Sequence, residues 1–310
     1  MADDASSSAA PQSSAQLRGV LALFGAFGIW GVLPLYLREL AGVPSLDIAM
    51  SRMVFCCVFV LGWLSLRGEL GQVRSALATP ATRKRLLLTA TLISINWLVY
   101  VWGVGHGRVV ETSLGYFINP LVNVALGVLF LRERLNRAQW SAVTLAALGV
   151  AYLTWQAGTL PLIALTLALS FGSYGLLRKT MPVEAMAGLG AETLLLAPFG
   201  LAYMVFRELG PTGAFTHASA WTVTLLVLSG LVTAVPLWLF TYGTRRVAYS
   251  TVGLIQYLGP SLQLALGVFV FGEPFAQARA IGFALIWAAL ALYAVDGLWR
   301  SRTAALHSTQ

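Results

Sequence analysis

Charge is what this sequence has least of. Only 10% of its 310 residues are Asp, Glu, Lys or Arg, against 58% hydrophobic, and the mean hydropathy is +0.76. A soluble domain carries roughly 25% charged residues, so this chain lacks the polar surface to face water on all sides. Cysteine is nearly absent too. The two present, Cys56 and Cys57, are adjacent in an apolar run and point about 100° apart on a helix, so they read as packing residues rather than a disulfide or metal pair. No GxxxxGK[ST], HExxH or CxxC pattern occurs, and no Ser/His/Asp arrangement can be argued, so neither an ATP-driven pump acting alone nor a metalloprotease is expected. No cofactor is expected, and the chain does not read as an enzyme.

What fills the sequence instead is a succession of apolar runs of about 20 residues, the length that crosses a hydrocarbon core of about 30 Å. The runs fall at 18–37, 46–66, 86–105, 110–131, 139–156, 159–178, 186–206, 220–243, 250–271 and 279–299. They predict an all-α integral membrane bundle of ten transmembrane helices. Residues 1–16 are small, polar and acidic, with neither the basic start nor the apolar core of a secretory signal, and read as a disordered tail. Residues 301–310 read as a second tail.

The net charge of +8 lies in short loops, which points to the anionic lipid surface and not to nucleic acid. With ten spans, fifteen of the Lys and Arg residues fall on the side shared by the termini and four on the other. That asymmetry predicts cytoplasmic termini and a cell-membrane (bacterial inner-membrane) location.

The chain also repeats itself. A shift of 140 lays ALGVLFLRE at 125–133 onto ALGVFVFGE at 265–273, Pro120 onto Pro260 and Gly103 onto Gly243. Two units follow, 17–156 and 157–300, each of five spans. An odd number makes the second unit enter from the opposite side, a plan that recurs in secondary transporters with the substrate near the midplane.

Polar groups inside the spans are the functional candidates. Asn96, Trp97 and Tyr100 in the third span, and Tyr116, Asn119 and Asn123 in the fourth, form polar stripes at helical spacing, the second beside Pro120. Gln256 and Tyr257 stand beside Pro260 in the matching place of the second unit. The stripes read as the lining of one central cavity, or else as helix–helix hydrogen bonding. Trp30, Trp97 and Trp102 could stack on an aromatic solute. Arg52 and Glu192, mates under the shift of 140, read either as gating or substrate-charge contacts at the two mouths, or as interfacial charges that snorkel or lock helices together. The partner expected for Arg52 is Glu111; for Glu192 it is the Arg178/Lys179 or Arg245/Arg246 pair. Proton coupling stays open, with Glu192, Glu111 and His106 as the groups within reach.

Finally, NWLVYVWGVGHGRVVETSLGYFINPLVNVALGVLFLRERLNRAQW (96–140), WGVLPLYLREL (30–40) and SFGSYGLLRK (170–179) closely resemble the RarD group of EamA-domain proteins, in the drug/metabolite transporter superfamily. The resemblance spans about 17–300 and implies ten helices, two inverted repeats, cytoplasmic termini and a central cavity. It also implies a chloramphenicol-type substrate. The expectation is an inner-membrane secondary transporter, an exporter of a small organic metabolite or drug working by alternating access, as monomer or dimer. Its alternatives are a lipid-modifying membrane enzyme and a structural membrane protein.

Overall fold

A computed structural model describes residues 9–106, 109–158, 162–211, 213–272 and 277–307, and within them the chain is helical and turn structure with no strand. Thirteen helices follow in order: α1 (Ala9–Arg38), α2 (Ser45–Leu66), α3 (Leu70–Ala78), α4 (Pro80–Gly105), α5 (Val109–Leu131), α6 (Arg137–Ala157), α7 (Leu162–Thr180), α8 (Ala185–Glu208), α9 (Ala214–His217), α10 (Ala220–Thr244), α11 (Tyr249–Gln256), α12 (Leu258–Phe269) and α13 (Gln277–His307). A helix satisfies its own backbone polar groups, which lipid cannot do for it.

Among the described residues, six stretches are long and apolar enough to cross a membrane: Ser14–Arg38, Ser45–Leu66, Leu114–Leu131, Ala185–Glu208, Ala220–Thr244 and Tyr249–Phe269. The other four expected spans fall on α4, α6, α7 and α13. Helix extends into both segments expected as tails, since α1 is helical from Ala9 and α13 runs to His307.

The outer surface is apolar, as is most of the buried core, and a limited set of polar groups lies within. Phe130, Phe199, Phe206, Trp155, Leu129 and Phe269 lie on the outside, while Thr89, Asn119, Asn123, Ser170, Glu192, Thr233 and Gln256 are buried. Outward apolar and inward polar groups are what a lipid surround selects.

Close helix contact depends on small residues. The clearest case is Gly230 in α10, where a Cβ would stand 2.3 Å from the Phe55 carbonyl carbon and 2.5 Å from the Cys56 nitrogen of α2. Two backbones meet there with no room for a methyl group. Elsewhere α1 packs on α10 and α12, α7 on α4 and α5, α2 on α8, α5 on α11, and α6 on α13.

The run expected as one span at 250–271 is broken at Tyr257, between α11 and α12. Pro260 has no N–H to offer the Gln256 carbonyl one turn back, and its ring crowds that carbonyl. The Tyr257 N–H bonds Leu254 O (3.2 Å) in a tighter turn instead.

Helix ends carry their own partners. Asn136 caps α6 by accepting from the Gln139 N–H (2.8 Å), while the Gln139 side chain accepts from the Asn136 N–H (3.0 Å). At the end of α5, Arg132 takes a left-handed conformation (φ 55°), and the Glu133 N–H closes on Gly127 O (3.1 Å). The Glu133 carboxylate lies over Gly127, which has no side chain to obstruct it, and accepts from the first two amides of α11, Tyr249 and Ser250 (2.9 Å for the latter). A carboxylate from one end of the chain's first half thus caps a helix of its second.

Candidate functional site

The interior holds a cavity of about 150 Å³ with aromatic and polar walls, a size that admits a benzene-like ring. Eight helices contribute to it. Phe27, Trp30 and Pro34 come from α1, Arg52 from α2, Asn96, Trp97 and Tyr100 from α4, and Tyr116 and Asn119 from α5. From the second half come Phe171 of α7, Thr233 and Leu237 of α10, Gln256 of α11, and Pro260 and Gln263 of α12.

Helical spacing explains the juxtaposition. Asn96 and Tyr100 are one turn apart, as are Tyr116 and Asn119, and the two tyrosine rings meet edge to face at 6.0 Å between centroids. Trp30 contacts Phe27 (5.6 Å), Phe171 (5.7 Å) and Phe240 (5.9 Å), making an aromatic wall on the far side.

The polar groups are only partly occupied by each other. Asn96 Nδ2 donates to Leu167 O (2.9 Å) and Ser170 Oγ (3.1 Å), anchoring α4 to α7. Gln263 Nε2 donates to Trp30 O (3.0 Å), joining α12 to α1. Asn119 is 5% exposed, and its Oδ1 has no hydrogen-bond partner. Arg52 donates through Nε to Thr233 Oγ1 (2.9 Å), and its guanidinium carbon lies 5.7 Å from the Trp97 ring centre. It is the one charged residue on the cavity wall among the described residues.

Several expected site residues lie elsewhere. Asn123 is fully buried behind the wall, where its Nδ2 donates to Gln256 Oε1 (2.6 Å). Tyr257 is also buried off the cavity and donates to Phe117 O (3.2 Å). Asn123 turns toward α11 because Gly253 leaves its backbone open there, with a Cβ position only 3.2 Å from the Asn123 Cβ. Trp102 is half-exposed and stacks on His106 at 4.5 Å. The side chain of Glu111 lies outside the described residues.

Glu192 is buried and paired with Arg178, which belongs to one of the two basic pairs expected for it. It is 1% exposed, in an ion pair with Arg178 (3.6 Å), and accepts from Thr89 Oγ1 (2.6 Å) and Tyr174 OH (3.2 Å). A charge this far from water is held by its partners or not at all.

Two features escaped the sequence reading. Thr233 lines the cavity, and its sequence signal is a hydroxyl one turn after Ser229, one of several along α10. Asp47 is buried near the start of α2, and is held by Arg207 (3.1 Å) and Tyr203 OH (2.7 Å) from α8. A lone Asp in the first turn of an apolar run was the only hint.

An all-helical bundle, apolar outside and enclosing a cavity with aromatic and amide walls, defines a multi-pass membrane protein of the transporter class. Residues 17–155 match the EamA-like transporter family. Over its length the chain is 43% identical to an "uncharacterized transporter" of Pseudomonas aeruginosa, across 284 residues covering 92% of this chain and 95% of that one. It is 41% identical to "Protein RarD" of Salmonella typhimurium, across 285 residues covering 92% and 97%. It is 30% identical to the "chloramphenicol-sensitive protein RarD" of Pseudomonas aeruginosa, covering 90% and 94%. A solved crystal structure at 21% identity superposes with a TM-score of 0.67 over 91% of this chain and 97% of its own, which shows the shared fold. This chain belongs to the EamA-like transporter family, in its RarD-like group.

Proposed function

We propose that this chain is a secondary transporter of the bacterial inner membrane that exports a small organic solute by alternating access of its central cavity. The observation that carries the reading is a cavity whose polar and aromatic wall is built by both halves of the chain. Helices that move relative to one another then reshape the binding site directly.

In this reading the bundle has ten spans in two inverted five-helix units, with both termini cytoplasmic. The packing supports it: exchanging the halves turns α1 on α10 into α7 on α4, α1 on α12 into α7 on α5, and leaves α2 on α8 and α6 on α13 unchanged. The Glu133 cap on α11 is a contact between the halves that rocking must break and remake. Trp30, Trp97, Tyr100 and Tyr116 hold the planar part of the solute, while Asn96, Asn119 and Gln256 hold its polar groups.

The test is a solute screen in proteoliposomes, with and without a pH gradient. Chloramphenicol belongs in it, since a relative's name carries that drug. Asn119→Ala is expected to abolish transport of the solute found while leaving expression and monodispersity intact. Transport by Asn119→Ala at the wild-type rate sinks the cavity assignment.

A further inference from the structure

Arg52 differs from the other arginines inside the bundle. Arg178 has Glu192 and Arg207 has Asp47, each within ion-pair distance. Among the described residues Arg52 has a neutral hydroxyl, Thr233 Oγ1, and the face of Trp97. That hydroxyl directs its own proton to Ser229 O (2.7 Å), so it neutralises no charge. A guanidinium carries five N–H donors. With Nε–H engaged, the four on Nη1 and Nη2 have no acceptor among the described residues.

A fixed cation between lipid-facing helices is costly unless something balances it. The planar fork of the guanidinium matches a carboxylate or sulfonate with two parallel hydrogen bonds. One cation balances one negative charge. The same cavity is lined by Trp97, Tyr100, Trp30 and Phe27, aromatic rings that suit a flat apolar body. On α5, the buried Asn119 Oδ1 without a partner suits a donor on that body.

We infer that the solute is a planar aromatic monoanion, its acid group on Arg52 and a hydrogen-bond donor on Asn119. The inference rests on the transport reading above and names its substrate class. It separates this cavity from one built for neutral drugs, for which an arginine without a carboxylate partner among the described residues is a cost without a return.

The test is a tryptophan-fluorescence titration of the purified full chain in phosphatidylcholine nanodiscs at neutral pH. The probes are 4-hydroxybenzoate and its neutral counterpart 4-hydroxybenzamide. The expected result is a Kd at least about tenfold lower for the anion. Arg52→Gln brings the two values together by weakening the anion alone, and Arg52→Lys retains part of the preference. Equal Kd values in the wild-type protein, or a preference that survives Arg52→Gln, overturns the assignment. The wild-type comparison decides the matter even if Arg52→Gln fails to fold.

Repeating the titration in phosphatidylglycerol nanodiscs separates a free solute from a lipid headgroup. Unchanged affinity supports the solute site, and loss of anion binding assigns Arg52 to lipid and overturns it. The proteoliposome screen keeps the two readings distinct. A transported neutral solute, with no preference for the anion, overturns the substrate class and leaves transport standing. Anion preference without transport of any screened solute does the reverse.

Discussion

Converting Glu192 to Gln removes one charge from the interior and almost nothing of its shape. The cost follows from what Arg178 has left. Both side chains are cut off from solvent, at 0% and 2% exposure for Arg178 and Glu192. Arg178 Nη2 donates to Ala185 O (2.7 Å), but Nε and Nη1 have no hydrogen-bond acceptor. At 3.6 Å the contact with Glu192 is electrostatic and too long for a hydrogen bond. The carboxylate's charge is therefore the main compensation for the buried guanidinium. Gly188 allows no retreat: a Cβ there would lie 1.8 Å from Nη1, so the guanidinium is pressed against the α8 backbone.

Removing one partner of a buried pair costs about 3–5 kcal/mol. At roughly 2–4 °C per kcal/mol for proteins somewhat smaller than this one, the unfolding midpoint in detergent should fall by about 10 °C. The assay is a thermal scan followed by tryptophan fluorescence, at fixed detergent, protein concentration and scan rate. The double variant Arg178→Met with Glu192→Leu supplies the control. It removes both charges together and should recover most of the loss, as apolar replacement of buried pairs commonly does. A Glu192→Gln midpoint within about 2 °C of wild type would refute the reasoning, because Arg178 would then be compensated by something other than Glu192.

Three further outcomes can be checked on the same preparations. Gly230→Ala forces α2 and α10 apart at Phe55 and Cys56 and should cost about 1–3 kcal/mol, read as a lower midpoint. Glu133→Ala uncaps α11 at a cost of about 1 kcal/mol, and hydrogen exchange should speed up at the Tyr249 and Ser250 amides more than along α10. Asp47→Asn should be milder than Glu192→Gln, since Arg207 keeps 27% of its side chain exposed and can turn to solvent. A larger midpoint loss for Asp47→Asn would count against that ranking.

Helix positions were legible because lipid imposes one length and one polarity on every span, and those are properties of composition. The polar stripes were legible for a related reason. In a chain so apolar, Asn96, Tyr100, Tyr116 and Asn119 stand out, and helical spacing says which of them share a face. Spacing alone did not separate Asn119 from Asn123. One turn apart on α5, they face different neighbours, the cavity in one case and Gln256 of α11 in the other. That difference depends on how closely α11 approaches, which Gly253 sets from far along the chain. The break at Tyr257 was hidden because composition runs on unchanged through a proline. The Arg178 partner of Glu192 was legible as a basic pair within reach, whereas the burial of Glu192 depends on what packs over it. Thr89 and Tyr174 close that side.

The Glu133 cap also bears on how the protein is made. Glu133 leaves the ribosome well before its partners, 116 residues ahead of Tyr249 and 117 ahead of Ser250. Throughout that interval the connection after α5 carries a carboxylate with no α11 amide to receive it, and α11, only eight residues long, starts with none of its own side chains capping it. A helix so short is marginal in isolation. In the finished protein the first turn of α11 is thus held by a carboxylate from the first half of the chain. A nascent chain cut short before α11 would expose that carboxylate, a mark by which unfinished copies differ from finished ones.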